Sequence, residues 1–528
     1  MKRTISWWSA CLLLCSLVPC AAAEDVRQAR GVVFHDVGGS GGFDPAVDRP
    51  LPGVAVSNGR DVVLTDDNGR YELPVRPPTA VFVIKPRGWA VPVDALQIPR
   101  FYYLHMPEGA GGARYAGHEP TPPLPESVDF ALQPQDEPDR FQVLVFGDTQ
   151  PRNETEVDYI ARDALAEVVG IDAAFGVTLG DVVFDDLTLF DPLNEAIATV
   201  GIPWRNVLGN HDIDFTADTD VDARGAYYRT YGPSYYAFTW GPAHFIVLDN
   251  VRWIVDGDRR YYRTGLGEDQ LEFLRNELSR IPEEQPVFLM THIPWVDSTA
   301  WVDEAHRQEV FDLLSARSHA VTLAAHTHQH YHRWIGAEDG WPGDRAHHLV
   351  SVGTPGGAWW TGAPDEYGIP HAMMFDGTPT GYAMLQIDGS QWKLRWQASR
   401  RPADFQMHLD APQSVRADQA SEALVVANIF NALPDARVQM RVGPSGPWQT
   451  MQRTVRTDPV RLAAVRREQA LGEVPWRPLG PTSHTSPHIW QATLGQTLEP
   501  GTHVIEVRAE DDWWHYEGRR LIRVTAEP

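Results

Sequence analysis

The chain has very little cysteine, and all of it lies at one end. Its three cysteines are Cys11, Cys15 and Cys20, in a sequence of 528 residues. The rest of the chain can therefore form no disulfide and offers no thiolate as a nucleophile or metal ligand. Any metal bound beyond this segment must be held by His, Asp, Glu, Asn or Gln.

Positive charge is also scarce compared with negative charge. The sequence has 45 Lys and Arg residues against 70 Asp and Glu, a formal net charge of −25. Because nucleic acids are polyanions, this excess argues against long nucleic acid as the main partner. The charge itself is sufficiently explained by solubility outside the cytoplasm.

The apolar run of the first residues is too short and wrongly flanked for a permanent membrane span. It reads "MKRTISWWSACLLLCSLVPCAAAED", with Lys2 and Arg3, then an apolar stretch, then three alanines that end at Ala23. This three-part layout predicts a secretory signal over residues 1–23, hence a periplasmic or secreted protein with no transmembrane segment in the mature chain. A lipoprotein anchor through Cys20 is the alternative, and Pro19 fits it poorly.

The pattern of strands and turns predicts three folded parts after this segment. Residues 27–133, the N-terminal module, show short strands and Asn-Gly turns typical of an antiparallel sandwich. Residues 140–400, the central module, alternate strands with amphipathic helices, which indicates an α/β architecture. Residues 403–528, the C-terminal module, return to strand patterns and predict a second all-β sandwich. No internal repeat is evident.

Polar residues able to bind metal follow nearly every predicted strand of the central module. Ligands gather at the carboxyl ends of strands in open α/β sheets, so we expect these side chains to converge. Each of these residues taken alone could equally belong to a turn, a helix cap or a surface pair. Their order and spacing together favour a metal site. They are Asp148 and Gln150, Asp181 and Asp185, Asn210, His211 and Asp212, His292, and His326 and His328.

The blocks "GDTQ", "GDVVFDD", "GNHD", "THIP" and "AHTH" together resemble the five-block signature of the calcineurin-like metallophosphoesterases, over about residues 140–400. The N-terminal pattern "PLPGVAVSNGRDVVLTDDNGRYEL" resembles the transthyretin-like, carboxypeptidase regulatory domains. Both flanking modules are similar to those of a bacterial three-domain branch of the superfamily. The implied fold is an α/β two-sheet metallophosphoesterase sandwich between two all-β sandwiches.

The resemblance implies a site for two divalent metals. Manganese is expected, with iron and zinc as alternatives, because mixed nitrogen and oxygen ligands suit these metals better than calcium. Asp181 would bridge the two ions. One ion would be completed by Asp148, Gln150 and His328, and the other by Asn210, His292 and His326.

The same resemblance implies a mechanism. A hydroxide bridging the metals would attack phosphorus, and His211 would protonate the leaving group as general acid. Asp185 is the candidate for holding the His211 ring, with Asp186 next to it, although the spacing of "GDVVFDD" departs by one residue from the commonest family pattern. Asp212 is counted with this catalytic group.

Other features remain open at this point. Gln150 departs from the histidine expected in the common pattern, and a neutral amide should hold its metal more weakly. Trp359 and Trp360 could form a substrate-binding aromatic wall or a hydrophobic plug over the core. The histidines His330, His332, His347 and His348 form a local cluster that we expect in solvated loops.

The sequence thus predicts an exported, metal-dependent phosphoric ester hydrolase. Its expected substrates are small-molecule or lipid-head-group phosphodiesters or phosphomonoesters, with weak envelope association through the flanking β modules. The alternatives are a diphosphatase acting on nucleotide-linked substrates and a catalytically weak cell-surface binding protein.

Overall fold

The computed structural model describes residues 27–112, 114–296 and 301–526. The predicted signal segment, with Cys11, Cys15 and Cys20, lies outside the described residues, and the predicted export remains a prediction. Among the described helices, none has the length and apolar character needed to cross a membrane.

The N-terminal module is built of strands. They are β1 (Arg27–His35), β2 (Arg49–Pro50), β3 (Ala55–Ser57), β4 (Val62–Leu64), β5 (Arg70–Val75), β6 (Thr79–Val83), β7 (Trp89–Ala90), β8 (Tyr102–His105) and β9 (Phe130–Pro134). One sheet has the order β2-β1-β9-β7 with β5 also paired to β1, and another has the order β4-β3-β6-β8.

The central module contains mixed α/β sheets. Its strands are β10 (Arg140–Phe146), β11 (Phe175–Thr178), β12 (Trp204–Asn206), β13 (Tyr236–Trp240), β14 (Ala243–Val247), β15 (Val251–Asp256), β16 (Arg259–Thr264), β17 (Val287–Met290), β18 (Ala320–Ala324), β19 (Tyr331–Ile335), β20 (His347–Ser351), β21 (Gly381–Asp388) and β22 (Gln391–Ala398). One sheet has the order β12-β11-β10-β21-β22 and the other β13-β14-β17-β18-β20-β19.

The helices of the central module connect these strands. They are α1 (Glu154–Ile160), α2 (Ala166–Val168), α3 (Phe190–Ala198), α4 (Asp220–Ala223), α5 (Gly225–Tyr231), α6 (Glu268–Arg280) and α7 (Glu304–Ser315). A π-helical turn, Ala161–Leu165, joins α1 to α2, and 3₁₀ turns occupy Leu187–Leu189 and Ala337–Asp339. Strands β10, β11 and β12 are parallel, as are β14, β17, β18 and β20, and their apolar residues are buried.

The C-terminal module contains a helix, which corrects the all-β expectation. Its elements are β23 (Met407–Asp410), β24 (Ser414–Arg416), a 3₁₀ turn (Ala417–Glu422), β25 (Leu424–Ile429), β26 (Arg437–Val442), β27 (Gln449–Thr450), β28 (Gln452–Arg456), α8 (Pro459–Leu471), β29 (Ser486–Thr493), β30 (Gly501–Glu510) and β31 (His515–Thr525). The sheets are β23-β25-β29-β28 and β24-β31-β30-β26-β27.

Local sequence explains helix α8. Asp458 caps it by accepting a hydrogen bond from the Arg461 N–H at 2.6 Å, and Pro459 occupies the first turn. The following residues are mostly good helix formers, and Gly472 with φ +78° ends the helix.

The histidine cluster is buried, so the prediction of solvated loops is wrong. His332 lies on β19, His347 and His348 lie on the adjacent β20, and His330 immediately precedes β19. The Nε2 atoms of His330 and His332 both lie within hydrogen-bond distance of Asn431 Oδ1, at 2.9 and 3.2 Å. The cluster therefore joins the central module to the C-terminal module.

A buried ion pair joins the N-terminal and central modules. Lys85 Nζ binds the Glu137 carboxylate and donates to Thr239 O at 2.8 Å. Glu137 also accepts from the backbone N–H groups of Gly88 at 3.1 Å and Gly241 at 2.9 Å. Burial lowers the pKa of Lys85 to about 8, against the opposing effect of Glu137.

Removing Glu137 should destabilise this junction. Glu137→Ala leaves Lys85 as a buried, unpaired charge and should cost roughly 3–5 kcal/mol, measured by urea denaturation followed through tryptophan fluorescence. Adding Lys85→Met should recover part of that loss. The matched control is Asp139→Ala, which breaks the exposed Arg87–Asp139 pair and should cost about 1 kcal/mol or less. Equal stability of the two alanine variants would contradict a structural role for the pair.

Candidate metal centre

The carboxyl ends of parallel strands from both central sheets meet at one place. Asp148 follows β10, Asp181 follows β11 and Asn210 follows β12 in the first sheet. His292 follows β17 and His326 follows β18 in the second. The ligand atoms of Asp181, His292 and His326 all lie within 4.8 Å of one another. The structure therefore brings together residues that are distant in the sequence.

Asp181 lies at the centre of this group. Its Oδ1 accepts a hydrogen bond from the His211 backbone N–H at 2.8 Å and lies 3.2 Å from His292 Nε2. Its Oδ2 accepts from Gln150 Nε2 at 2.8 Å. Burial would raise the pKa of the Asp181 carboxyl, but the nearby His292 and His211 hold it below the ordinary value. Asp181 is thus placed as a carboxylate with both oxygens directed into the site.

Each of two site histidines is oriented through its Nδ1 atom. His292 Nδ1 lies 2.8 Å from Leu179 O, and His328 Nδ1 lies 2.7 Å from Gly357 O. A carbonyl can only accept, so both Nδ1 atoms carry the proton and both Nε2 atoms can serve as ligands. His292 Nε2 faces His326 Nδ1 at 3.2 Å, and His328 Nε2 lies 3.8 Å from Asp148 Oδ1.

Burial and neighbouring charge shift the pKa values of His292 and His326 in opposite directions. Burial lowers the pKa of His292, but Asp181 and Asp148 raise it overall to about 9. Burial, together with the adjacent His292, lowers the pKa of His326 to about 3. Burial also raises the pKa of the Asp148 carboxyl, against the opposing effect of His328 and His292. A bound cation would replace the proton that His292 shares with Asp181.

Two buried oxygen atoms fit a metal site. Among the residues that the structure describes, Asp148 Oδ1 and Asn210 Oδ1 have no hydrogen-bond partner although both are buried. The other Asp148 oxygen, Oδ2, accepts from the His326 N–H at 3.0 Å. Unpaired buried acceptors are costly unless a cation or another donor satisfies them. The set of carboxylate, amide and imidazole groups is therefore suited to divalent metal.

The backbone of the site is unusually strained. Ten described non-glycine residues have a positive φ, and seven of these are site residues identified from the sequence. Their φ values lie between 42° and 68°. Side chains disfavour this left-handed region, and such residues concentrate at functional sites. The seven are Gln150, Asp181, Asp185, His326, His328, Trp359 and Trp360.

Glycine precedes the site residues Asp148, Asp181 and Asn210, and a Cβ at each of these glycines would be crowded. A Cβ at Gly209 would overlap Asp181, and Gly180, with φ +88°, lies against the His292 ring. These contacts explain the glycines of the Gly-Asp and Gly-Asn blocks by close packing of neighbouring turns.

Gln150 is oriented differently from the sequence expectation. Its Oε1 accepts a hydrogen bond from Trp359 Nε1 at 2.6 Å, and its Nε2 donates to Asp181 Oδ2. An indole N–H can only donate, so Trp359 fixes which end of the amide faces away from Asp181. The Gln150 nitrogen, and not its oxygen, is directed at the proposed bridging carboxylate.

His211 and Asp185 form a hydrogen-bonded pair. His211 Nδ1 lies 2.7 Å from Asp185 Oδ1, and the His211 ring stacks on Phe184 with centroids 4.4 Å apart. Burial lowers the pKa of His211, but Asp181 and Asp185 raise it overall above its ordinary value. His211 therefore retains a proton to higher pH than an isolated histidine.

Asp212 points away from this pair into the protein. Its carboxylate accepts from the backbone N–H groups of Gly209 at 2.8 Å and Val183 at 3.0 Å, and the residue is fully buried. Burial and the nearby Asp181 charge raise its pKa to about 7. Its contacts tie the turn after β11 to the turn after β12, which is a positioning role and not direct contact with a substrate.

The two tryptophans separate into the two roles that the sequence left open. Trp359 lies beside the site, with its ring centroid 4.6 Å from that of His328. Trp360 is 3% exposed and packs on Tyr159 in the core.

Tyr115 was missed from the sequence; its hydroxyl donates to Asp185 O at 2.6 Å. It lies in a Pro/Gly-rich passage without any motif that could have identified it.

Comparison with known protein families gives three matches. Residues 141–332 match the family described as "Calcineurin-like phosphoesterase", residues 40–115 match "N terminal of Calcineurin-like phosphoesterase", and residues 350–516 match "C terminal of Calcineurin-like phosphoesterase". No curated protein matches the sequence.

Solved structures also give matches. One is Vacuolar Protein Sorting 29 from Cryptosporidium parvum, at 12% identity over 50% of this chain and 98% of that chain, with a TM-score of 0.21. A TM-score this low does not bear on the fold.

Changing Gln150 to His should tighten metal binding. The Gln150 oxygen is bound by Trp359, so Gln150→His would add an imidazole donor where the amide directs only its N–H group at Asp181. Metal affinity should rise by about tenfold, the lower end of what altered metal-site side chains change. Calorimetric titration of the metal-free protein with Mn²⁺ measures this. The control is Gln142→His, on β10 but hydrogen-bonded toward Asp172. Unchanged affinity in Gln150→His would place residue 150 outside the metal shell.

Proposed function

We propose that the chain, which belongs to the calcineurin-like phosphoesterases, hydrolyses a small phosphodiester or phosphomonoester at this centre. Members of this family are metal-dependent phosphoester hydrolases. The observation that carries the proposal is the placement of Asp181. Its carboxylate lies 3.2 Å from His292 Nε2, in the group that His326 completes. Asp148 Oδ1 lies 3.9 Å from the same His292 atom and 3.8 Å from His328 Nε2, so the second set of groups adjoins the first.

The ligand set supports two divalent metals, with manganese as the proposed ion. Asp148, Asp181 and His328 would hold one ion, and Asp181, Asn210, His292 and His326 would hold the other. Nitrogen and neutral oxygen donors beside two carboxylates suit manganese, iron or zinc better than calcium. When bound, such a pair supplies positive charge for the phosphoryl oxygens and makes a water acidic enough to attack phosphorus near neutral pH.

The protein's own groups would handle the leaving group. The His211 side chain is 21% exposed, so it reaches the space where a substrate would lie. Asp185 accepts a hydrogen bond from His211 Nδ1–H and so orients the ring, and the protonated ring can donate its Nε2 proton to the departing oxygen.

Trp359 would form one wall of the substrate space. Its indole is hydrogen-bonded to Gln150, and its ring contacts the His328 and Phe375 rings. Arg477 of the C-terminal module lies with its guanidinium 5.9 Å from the Trp359 ring centroid. A partly exposed aromatic ring beside a cation favours a compact ligand with an anionic group.

Hydrolysis by the Mn²⁺-loaded full chain tests the proposal. We expect turnover of bis-p-nitrophenyl phosphate or p-nitrophenyl phosphate, and the ratio of the two kcat/KM values decides between diesterase and monoesterase. Nucleotide-sugar diphosphates and phospholipid head groups are the further arms. Asp181→Asn should lose both metal and turnover, whereas Asp158→Asn, on the exposed face of α1, should keep both. Hydrolysis of none of these substrates by metal-loaded protein would refute the proposal.

Loss of His211 should separate metal binding from proton transfer. His211→Ala should keep its metal content but lose about 10²- to 10⁴-fold in kcat on an alkyl phosphoester, whose leaving group needs a proton. The loss on a p-nitrophenyl ester should be much smaller, because p-nitrophenolate leaves without protonation. His515→Ala, an exposed histidine of β31, is the control. Full activity of His211→Ala on the alkyl ester would exclude the general-acid role.

A further inference from the structure

Asp185, whose carboxylate binds the His211 ring, lies on a turn that is not held in place by burial. The Asp185 side chain is 43% exposed, and its backbone has a left-handed φ of 59°. An exposed side chain on a strained turn keeps its position only if surrounding hydrogen bonds fix the backbone. The geometry of the Asp185–His211 pair therefore depends on what holds the backbone of this turn.

Most of the bonds that hold the turn come from the central module. The N–H of Val183 donates to Asp212, that of Phe184 to Pro151 O at 3.1 Å, and that of Asp185 to His211 O at 3.2 Å. These bonds involve the N–H groups of the turn, and none of them is made by the carbonyl oxygen of Asp185.

The Asp185 carbonyl is bound by a residue of the N-terminal module. Tyr115, 70 residues earlier in the chain, donates its hydroxyl to Asp185 O at 2.6 Å, a shorter bond than those made by the N–H groups of the turn. Burial raises the pKa of the Tyr115 hydroxyl, so the group remains a donor throughout the neutral range. The Tyr115 ring also packs against the apolar core cluster that includes Leu144 and Phe146 of β10.

The segment that carries Tyr115 is firmly docked. Ala110 and His118 exchange backbone hydrogen bonds at 2.9 and 2.6 Å and so close the base of the segment. Gly111 N donates to Asp222 Oδ1 at 3.1 Å, and a Cβ at Gly112 would overlap the Asp214 carboxylate. Gly112 thus lets the segment lie directly against the loop that follows His211 in the chain.

We propose that Tyr115 is a positioning residue that the N-terminal module supplies to the hydrolytic site, where its bond to the Asp185 carbonyl keeps the Asp185 carboxylate on His211. This inference rests on the proposed function, because it assumes that His211 protonates the leaving group. It gives the N-terminal module an indirect part in the reaction. Without the Tyr115 bond, His211 would lose its orientation while the metal ligands stay in place.

Removing only the Tyr115 hydroxyl tests the inference. In the Mn²⁺-loaded full chain, Tyr115→Phe should lower kcat on an alkyl phosphoester by about 10- to 100-fold, part of what general acid catalysis contributes. On the matching p-nitrophenyl ester kcat should change less than about twofold, since no proton is needed there. KM and bound metal should stay unchanged for both substrates.

Tyr71→Phe is the matched control. Tyr71 belongs to the same module and donates to the carbonyl of Val128 at 2.7 Å, so it loses the same kind of bond away from the site. It should have wild-type kcat on both esters. A small change in thermal midpoint common to both variants would measure the shared structural effect.

A double variant separates positioning from general stability. If Tyr115 acts through Asp185 and His211, adding Tyr115→Phe to His211→Ala should cause no further loss on the alkyl ester. Equal losses on both esters, an additive loss in the double variant, or full activity of Tyr115→Phe would each overturn the inference. Failure of the wild-type chain to hydrolyse either ester would instead overturn the proposed function on which it rests.

Discussion

The Asp181 carboxylate is the group on which the arrangement of the site depends. It receives the His211 backbone on one oxygen and the Gln150 amide on the other, and His292 of the opposite sheet lies 3.2 Å away. Three turns from two sheets are thus fixed relative to one negative charge. Because buried charge is costly when unpaired, the rings and amides around Asp181 are held in the orientation that neutralises it.

The flanking modules are part of this arrangement as well as its neighbours. On one side Tyr115 reaches the turn after β11. On the other, Phe375 contacts the His328 ring and stacks on His484 of the C-terminal module, with centroids 4.2 Å apart. The buried Lys85–Glu137 pair and the Asn431 contacts of the histidine cluster join the same three parts farther from the site. The geometry of the candidate site therefore depends on contacts with both flanking modules.

The sequence could predict which side chains meet but not how each is turned. Polar residues at the ends of parallel strands converge because sheet geometry brings those ends together, so Asp148, Asp181 and His292 were accessible to pattern analysis. The orientation of Gln150 is set by Trp359, 209 residues later, through a single hydrogen bond. Such a contact leaves no periodicity in the sequence, and the same holds for Tyr115.

Two predictions were wrong for another reason: the all-β C-terminal module and the solvated histidine cluster. In both, the local sequence was informative but was read incorrectly. Helix α8 begins with an Asp-Pro cap, yet it is surrounded by strand patterns that favoured an all-β reading. The clustered histidines were assigned to solvent because they are polar. All four are instead buried. His330, His332 and His348 face Asn431 and Trp513 of the C-terminal module, and His347 bonds to Thr322 within the central module.

The left-handed backbone of the site residues places a limit on engineering this chain. Each such residue costs roughly 1–2 kcal/mol relative to a conformation that suits its side chain, and glycine would remove most of that cost. On backbone conformation alone, glycine would suit positions such as Asp181 and His326 better. At Asp181 the same change would delete the carboxylate that binds the His211 backbone and the Gln150 amide, so the strain of the turn and the contacts of its side chain cannot be altered separately.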